Sequence, residues 1–418
     1  MIIRLKIKNF RSYREETVFS LEANSSSHKQ NNVFELTNGK QDFRLLKLAV
    51  IYGANASGKS NIIRALFELI HLIINKPIID ERIRIHEPFL FNSLSSNMPT
   101  EFELIFIGPN DIKYEYKVCI HGNIVLEENL NFYPKGKITN AFSRKDFDPN
   151  SPIQKGVLGD SYGKKEINVF ENQLILSKFG DDEPHETLTK VFLYFRNYNI
   201  INATNRNHRQ LIEREITDYL YNNDNIKERL SKLIKGADTK INGIIIKKNK
   251  EDNSRNNYNI TAKHDVYDDT KIEGFYELSL KEESVGTQSL YTLGAEILKV
   301  LDKGGVMLVD ELDTSLHPYL TKMFVMLFQS EKTNPKNAQL IFTTHDVTLL
   351  DRDLIRRDQI WIAEKNDQGM SELFSLQDFE GLREDTPFEK WYLAGKFGGL
   401  PQIKSIESLF EEDEQIIS

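Results

Sequence analysis

Cysteine is nearly absent: one residue, Cys119, in 418. A lone thiol excludes an intramolecular disulfide framework and a multi-cysteine zinc site. Long hydrophobic runs are missing as well. No apolar stretch reaches the roughly 18 residues needed to span a bilayer. The richest, Ile62 to Ile74, is interrupted by Arg64, Glu68 and His71. The opening MIIRLKIKNF alternates like a strand and lacks the apolar core of a secretory leader. Positive charge is not in excess: Lys+Arg 54 against Asp+Glu 62 gives a formal net charge of -8. Proteins held to nucleic acid by overall charge are usually basic, so contact with nucleic acid is possible only through a local patch. These absences predict a soluble, cytoplasmic protein with no membrane partner.

What is present is globular material. Hydrophobic residues make up 39%, with 22 glycines besides. That supports a sizeable core and excludes whole-chain disorder. The length allows about two to three domains of chain. Alternation predicts strands at 2–8 and 17–21, and an apolar strand at 46–52 followed by a helix over 60–75. Three further alternating runs between Phe102 and about residue 132 predict an antiparallel meander, with Gly108-Pro109-Asn110 as a turn. Residues 134–170 are polar and resist assignment. Residues 187–235 read as charged helices broken near 202–208, and three strands are expected between Ile241 and Leu280. Beyond them a helix at 290–301, a strand at 306–309, a helix at 316–328 and strands at 339–343 and 360–363 alternate. That order predicts an α/β fold with a parallel sheet. Glu411-Glu412-Asp413-Glu414 reads as a solvated acidic tail.

Gly53-Ala54-Asn55-Ala56-Ser57-Gly58-Lys59-Ser60 fits G-x-x-x-x-G-K-[ST] at every fixed position, between a strand and a helix. The glycines let successive backbone N–H groups turn toward an anion, and the helix N-terminus adds its dipole. Lys59 is placed to bridge β- and γ-phosphates, and Ser60 to offer its hydroxyl to Mg²⁺. Val306-Met307-Leu308-Val309 delivers Asp310 and Glu311 to a strand end. There Asp310 would hold Mg²⁺ and Glu311 would polarise the attacking water. His345, in Thr343-Thr344-His345-Asp346, follows the next strand and could sense a γ-phosphate. Ser284-Val285-Gly286-Thr287 opens a helix and is a second candidate anion site.

The order of these four elements resembles an ABC-type ATPase head of the SMC, RecF and Rad-like branch. On that resemblance Gly53–Ser60 is the Walker A loop, Val306–Asp310 the Walker B strand and Glu311 the catalytic glutamate. Leu312–Pro318 is the D-loop region, His345 the switch histidine and Ser284–Thr287 the signature turn, departing from Ser-Gly-Gly-Gln at Val285 and Thr287. Lys8-Asn9-Phe10-Arg11-Ser12 resembles the opening of the same heads. The resemblance implies nucleotide contacts from Arg11, Gly53, Asn55, Ala56, Ser57, Gly58, Lys59, Ser60, Asn61, Ser284, Gly286 and Thr287. It implies ATP and Mg²⁺ as cofactors. Its fold would be a head with a mixed or parallel core sheet, an antiparallel β subdomain and an inserted helical lid. The divisions expected are 1–133, 134–280 with the lid at 187–235, 281–401, and the tail 402–418.

A closer resemblance is to prokaryotic defence ATPases of abortive-infection and retron systems. It is carried by Glu283–Thr287, Asp310–Pro318, Thr343–Asp346, Arg357-Asp-Gln-Ile-Trp361, Tyr392-Leu-Ala-Gly-Lys396 and Gly398-Gly-Leu-Pro401. It implies a homodimer or higher oligomer closing on ATP and controlling a separate effector, a toxin or nuclease. The alternative is a DNA-binding repair or chromosome-maintenance ATPase of the RecF type. Arg206, His208, Arg209, Arg214, Lys227, Arg229, Lys232 and Lys235 could serve it, although Glu213, Glu215, Asp218 and Glu228 are interleaved. No Q-loop glutamine stands out; Gln173 is a candidate that a structural role explains better. Glu364, Asp378 and Glu380 are too scattered for a nuclease centre.

Overall fold

Leu48-Ala49-Val50-Ile51-Tyr52 is apolar at every position, and every residue of it is buried. Such runs belong to parallel strands covered on both faces. The structure, a computed structural model, describes residues 1–401 except 40, 76–81, 146–152, 163–166, 203–205, 238–239, 249–257 and 384. The expected acidic tail at 402–418 lies outside the described residues. Leu48–Tyr52 lies within a six-stranded sheet. The strand order is Asn199–Asn202, Val306–Asp310, Gln339–Thr343, Leu48–Tyr52, Ile360–Lys365, Ser371–Ser375. The first five run parallel, and the last is antiparallel to its neighbour.

Successive residues of these strands enter two different cores, as the two-residue period of a strand requires. Ala49, Ile51, Leu308, Ile341 and Ala363 join the core that holds the helix Lys59–Ile74 and the antiparallel sheet. Val50, Met307, Val309, Leu340, Phe342 and Ile362 join the core that holds the helices Val285–Lys303 and Pro318–Gln329. The antiparallel sheet runs Thr17–Ser20, Ile2–Lys8, Thr100–Ile107, Lys113–His121, Ile124–Phe132, Thr139–Arg144. The fold is thus the mixed α/β architecture that the sequence predicts, a parallel core sheet with an antiparallel β subdomain.

Two regions differ from expectation. Thr139–Arg144 lies in the stretch left unassigned. It does not alternate, because Ala141, Phe142, Ser143 and Arg144 are all buried. Arg144 tolerates burial by donating to the carbonyls of Gln173 and Glu171. The helical region 187–235, expected as an inserted lid, packs its helices into the two cores. Glu186–Arg196 sends Leu188, Val191, Phe192 and Phe195 into the first core. Asn199–Asn202, just ahead of the expected break, becomes the edge strand beside Val306–Asp310. Arg206–Tyr221 and Asp224–Gly236 carry apolar stripes, Ile212, Ile216, Leu220 and Ile226, Leu230, Ile234, into the second core. The strands Ile241–Lys248, Tyr258–Asp268 and Lys271–Ser279 form a separate antiparallel sheet.

Candidate functional site

The phosphate loop turns between the strand Leu48–Tyr52 and the helix Lys59–Ile74. Gly53 and Gly58 have φ of 147° and 107°, a region side chains rarely adopt. A Cβ on Gly53 would strike the Ala363 carbonyl, and one on Gly58 the Ser371 hydroxyl. Lys59 is 6% exposed, and its ammonium donates to the carbonyls of Gly53 (2.8 Å) and Ala54 (2.9 Å). Burial lowers the Lys59 ammonium from its ordinary value, while Glu311, Asp310 and Asp313 oppose that fall. The cation and the three carboxylates therefore share one field. Asn55 and Ala56 are exposed at the loop tip, and Ser60 and Asn61 are half-buried at the helix start.

Asp310 ends its strand, and Glu311 sits beyond it at φ 57°, a left-handed conformation uncommon for glutamate. Thr343, wholly buried on the adjacent strand, holds both. Its Oγ1 donates to Asp310 Oδ1 at 2.7 Å and accepts the Glu311 N–H at 2.8 Å. The Glu311 carboxylate accepts from Thr314 Oγ1 (3.2 Å). One residue along, Thr344 donates to Asp313 Oδ1 (2.7 Å), and the His345 N–H reaches the same carboxylate at 3.3 Å. His345 itself is exposed at the strand end. Sequence reasoning placed Asp310, Glu311 and His345 at strand ends but missed Thr343 as the organiser of the two acids; its signal was a hydroxyl at the end of the strand that leads to the histidine turn.

The N-terminal segment is fastened to the same loop. Asn9 and Arg11 both sit at φ 52°. Arg11 Nη1 donates to Asn61 Oδ1 (2.9 Å), and its Nε pairs with Glu87. Asn61 Nδ2 donates to Ser12 Oγ (2.7 Å). Ser371 donates from its N–H to the Ser12 carbonyl (2.7 Å) and from its hydroxyl to the Ser57 carbonyl (2.6 Å). The C-terminal block closes the underside. A Cβ on Gly399 would stand 3.4 Å from Gly53 Cα, and the Tyr392 ring packs on Tyr52 with centroids 5.7 Å apart. Ser371, Tyr392 and Gly399 were not singled out for this loop from sequence.

The signature turn is elsewhere on the chain's surface. Ser284 is exposed and caps the helix Val285–Lys303, accepting the Thr287 N–H at 3.1 Å. Its Oγ also lies 2.9 Å from Thr287 Oγ1, which gives the departure at Thr287 a local use. A Cβ on Gly286 would stand 3.0 Å from the Ser315 carbonyl, so the turn abuts the Leu312–Pro318 segment. Among the described residues no hydrogen bond or ion pair joins Ser284, Gly286 or Thr287 to Gly53–Ser60.

The structure also answers weaker candidates. Gln173 is 7% exposed and donates to Asp182, a structural use. Asp378 accepts the Ser375 N–H and Glu364 the Gly399 N–H. No group of three or more His, Cys, Asp or Glu among the described residues could hold a metal ion. In the basic helices Lys227, Arg229 and Lys232 pair with Asp224, Asp302 and Glu228. The side chains of Arg206, His208 and Arg209 lie outside the described residues. No helix of the described residues is long and apolar enough to cross a membrane.

The residues fit a nucleotide with its cation. Ser57 Oγ is buried and aimed at no protein partner among the described residues. Asp310 uses one carboxylate oxygen for Thr343 and keeps the other, as a hard cation bound partly by phosphate oxygens needs. A strand, glycine loop and helix facing an Asp-Glu strand end define a P-loop ATPase domain. The family AAA_21, described as "AAA domain, putative AbiEii toxin, Type IV TA system", matches residues 48–351. The chain belongs to this family.

Three solved structures similar to the chain are SMC heads. The SMC head domain from Thermotoga maritima is 16% identical, covers 90% of this chain and 98% of its own, and has a TM-score of 0.42. An SmcHead bound to the C-winged helix domain of ScpA is 17% identical, with coverage of 90% and 97% and a TM-score of 0.47. An Smc head with an extended coiled coil, bound to the C-terminal domain of ScpA derived from Pyrococcus furiosus, is 13% identical. Its coverage is 90% and 96%, and its TM-score 0.45. No curated protein matches the chain.

Proposed function

We propose that this protein hydrolyses ATP in a head-to-tail homodimer and that the dimer controls a separate effector in cytoplasmic anti-phage defence. The observation that carries the catalytic part is the convergence on the Gly53–Ser60 loop. Lys59 shares a field with Asp310 and Glu311, and Thr343 joins those two acids. Gly53 to Ser60 and Lys59 bind the phosphates, and Arg11 and Asn61 brace the start of the loop helix. Ser60 and Asp310 would hold Mg²⁺, which supplies positive charge against the transferring phosphoryl group. Glu311 orients and polarises the attacking water, and His345 contacts the γ-phosphate.

Among the described residues no hydrogen bond or ion pair joins the exposed Ser284, the half-buried Gly286 or the buried Thr287 to Gly53–Ser60, so the turn is assigned to the γ-phosphate held by a second copy. Closure then depends on ATP, and loss of the γ-phosphate releases it. The effector role rests on the family. The carboxylate pairing of Lys227, Arg229 and Lys232 speaks for a protein partner rather than a DNA backbone.

Phosphate release from ATP tests the reaction. Lys59→Ala and Glu311→Gln are each expected to lower kcat by at least about a hundredfold. Unchanged release in both would overturn it. Co-expression with the product of an adjacent gene tests the control. Copurification and a toxicity switched by Glu311→Gln are expected; neither occurring would remove the effector role.

A further inference from the structure

A cleft of about 490 Å³ lies beside the segment 352–358. That segment leads into Ile360–Lys365, which runs parallel to Leu48–Tyr52. The cleft is therefore at the opposite end of the core sheet from Gly53. We propose that it binds a nucleoside phosphate, as a second anion site separate from the ATP loop.

Its floor is rigid. Arg356 is 2% exposed and spends all five of its donors within the fold. They go to both oxygens of Asp358, the carbonyls of Ser26 and His28, and the Asn24 side chain. This pins the loop Asn24–His28 against the arginine segment and cancels the Arg356 charge with Asp358. Three other guanidinium groups line the same cleft: Arg352, Arg357 and Arg383. Arg357 Nη1 donates to the Leu382 carbonyl at 3.0 Å, and Arg352 Nη1 donates to the Asp385 carbonyl. Neutral carbonyls orient these forks without neutralising them. Among the described residues none of the three pairs with a carboxylate.

Three oriented or free guanidinium forks in one concavity call for a multiply charged oxyanion. Ser25, Ser27 and His28 add donors on the facing loop. The apolar residues at its edge, Ile355, Leu382 and Phe388, are buried and show the cleft little surface. The volume is that of an organic ligand site rather than of a bare anion. A phosphate joined to a group rich in hydrogen-bonding atoms, as in a nucleoside phosphate, matches the guanidinium forks and the Ser and His donors. The helix Phe388–Leu393 starts in the cleft and carries Tyr392 against Tyr52, one residue before the phosphate loop.

Calorimetric titration of the Lys59→Ala protein tests this with the ATP loop disabled, so the result is independent of the proposed ATPase reaction. The four ribonucleoside 5′-monophosphates, the matching nucleosides, inorganic phosphate and a 5′-phosphorylated oligonucleotide are the probes. At least one monophosphate is expected to bind, with its nucleoside and inorganic phosphate at least about tenfold weaker. Adding Arg357→Ala or Arg383→Ala is expected to weaken binding by about tenfold or more. Arg383 is exposed, so its removal leaves the melting temperature unchanged. Arg357→Lys, which keeps the charge without the fork, falls between. Tighter binding of the oligonucleotide identifies a strand end as the ligand, and weaker binding a free nucleotide; either upholds the site. No binding by any phosphorylated organic probe, or binding indifferent to both arginines, overturns it.

Discussion

Thr343 Oγ1 stands 2.7 Å from Asp310 Oδ1, and the same oxygen accepts the Glu311 N–H. One hydroxyl thus fixes the rotamer of Asp310, the acid proposed to hold the cation, and the left-handed backbone of the next one. Thr343→Ala removes both bonds at a wholly buried position. The expected cost is about 1–3 kcal/mol of stability. The ATPase kcat should fall by about tenfold to a hundredfold with little change in KM, since the wholly buried Thr343 acts through the two acids it holds. Thr343→Ser should recover most of the rate. A Thr343→Ala enzyme with wild-type kcat would remove the positioning role.

Ser371 ties the phosphate loop to the N-terminal segment through the Ser57 and Ser12 carbonyls. Ser371→Ala leaves the Ser57 carbonyl without that donor. The expectation is about 1 kcal/mol of lost stability and an ATP Kd raised by a few-fold. Chemical denaturation and nucleotide titration measure the two effects.

The signature turn and the segment after Glu311 are in contact. Gly286→Ala puts a Cβ 3.0 Å from the Ser315 carbonyl and forces one of them to give. ATP binding to a single protomer should be unchanged, while turnover at high protein concentration falls by about tenfold. A binding assay beside a concentration series of phosphate release distinguishes these. Equal losses at all concentrations would place the turn outside an interface.

Cys119, the single thiol, is pushed up to about 11 by burial, with Glu101 and Glu127 further disfavouring its thiolate. The reactive form is the thiolate. At pH 8 its population is about a hundredfold below that of an ordinary cysteine. Maleimide labelling of the folded protein should be slow at pH 8 and accelerate about tenfold per pH unit up to about 10. Rapid labelling at pH 7 would contradict the packing of Lys113–His121.

The phosphate loop was legible because its glycines, lysine and serine stand at fixed spacing between an apolar strand and a helix. The strands Val306–Asp310 and Gln339–Thr343 were legible for a related reason: buried parallel strands are short apolar runs ending in polar turns. Asn199–Asn202 was not. It is four residues long and pairs on one side only, so neither alternation nor length marks it. Thr343 and Ser371 were hidden differently. A hydroxyl's partner depends on which strands become neighbours, and that order is set by tertiary pairing. The Arg356–Asp358 pair carries no mark of burial in the sequence, and it is among the most buried side chains because its partners come from residues 24–28.

The most direct test of the ATP-closed dimer is equilibrium sedimentation of the Glu311→Gln protein with and without ATP and Mg²⁺. Retained binding with blocked hydrolysis should trap the sandwich. The prediction is a dimer mass with ATP and a monomer mass without it, the shift being lost when Ser284→Arg is added. One and the same mass under both conditions would contradict it.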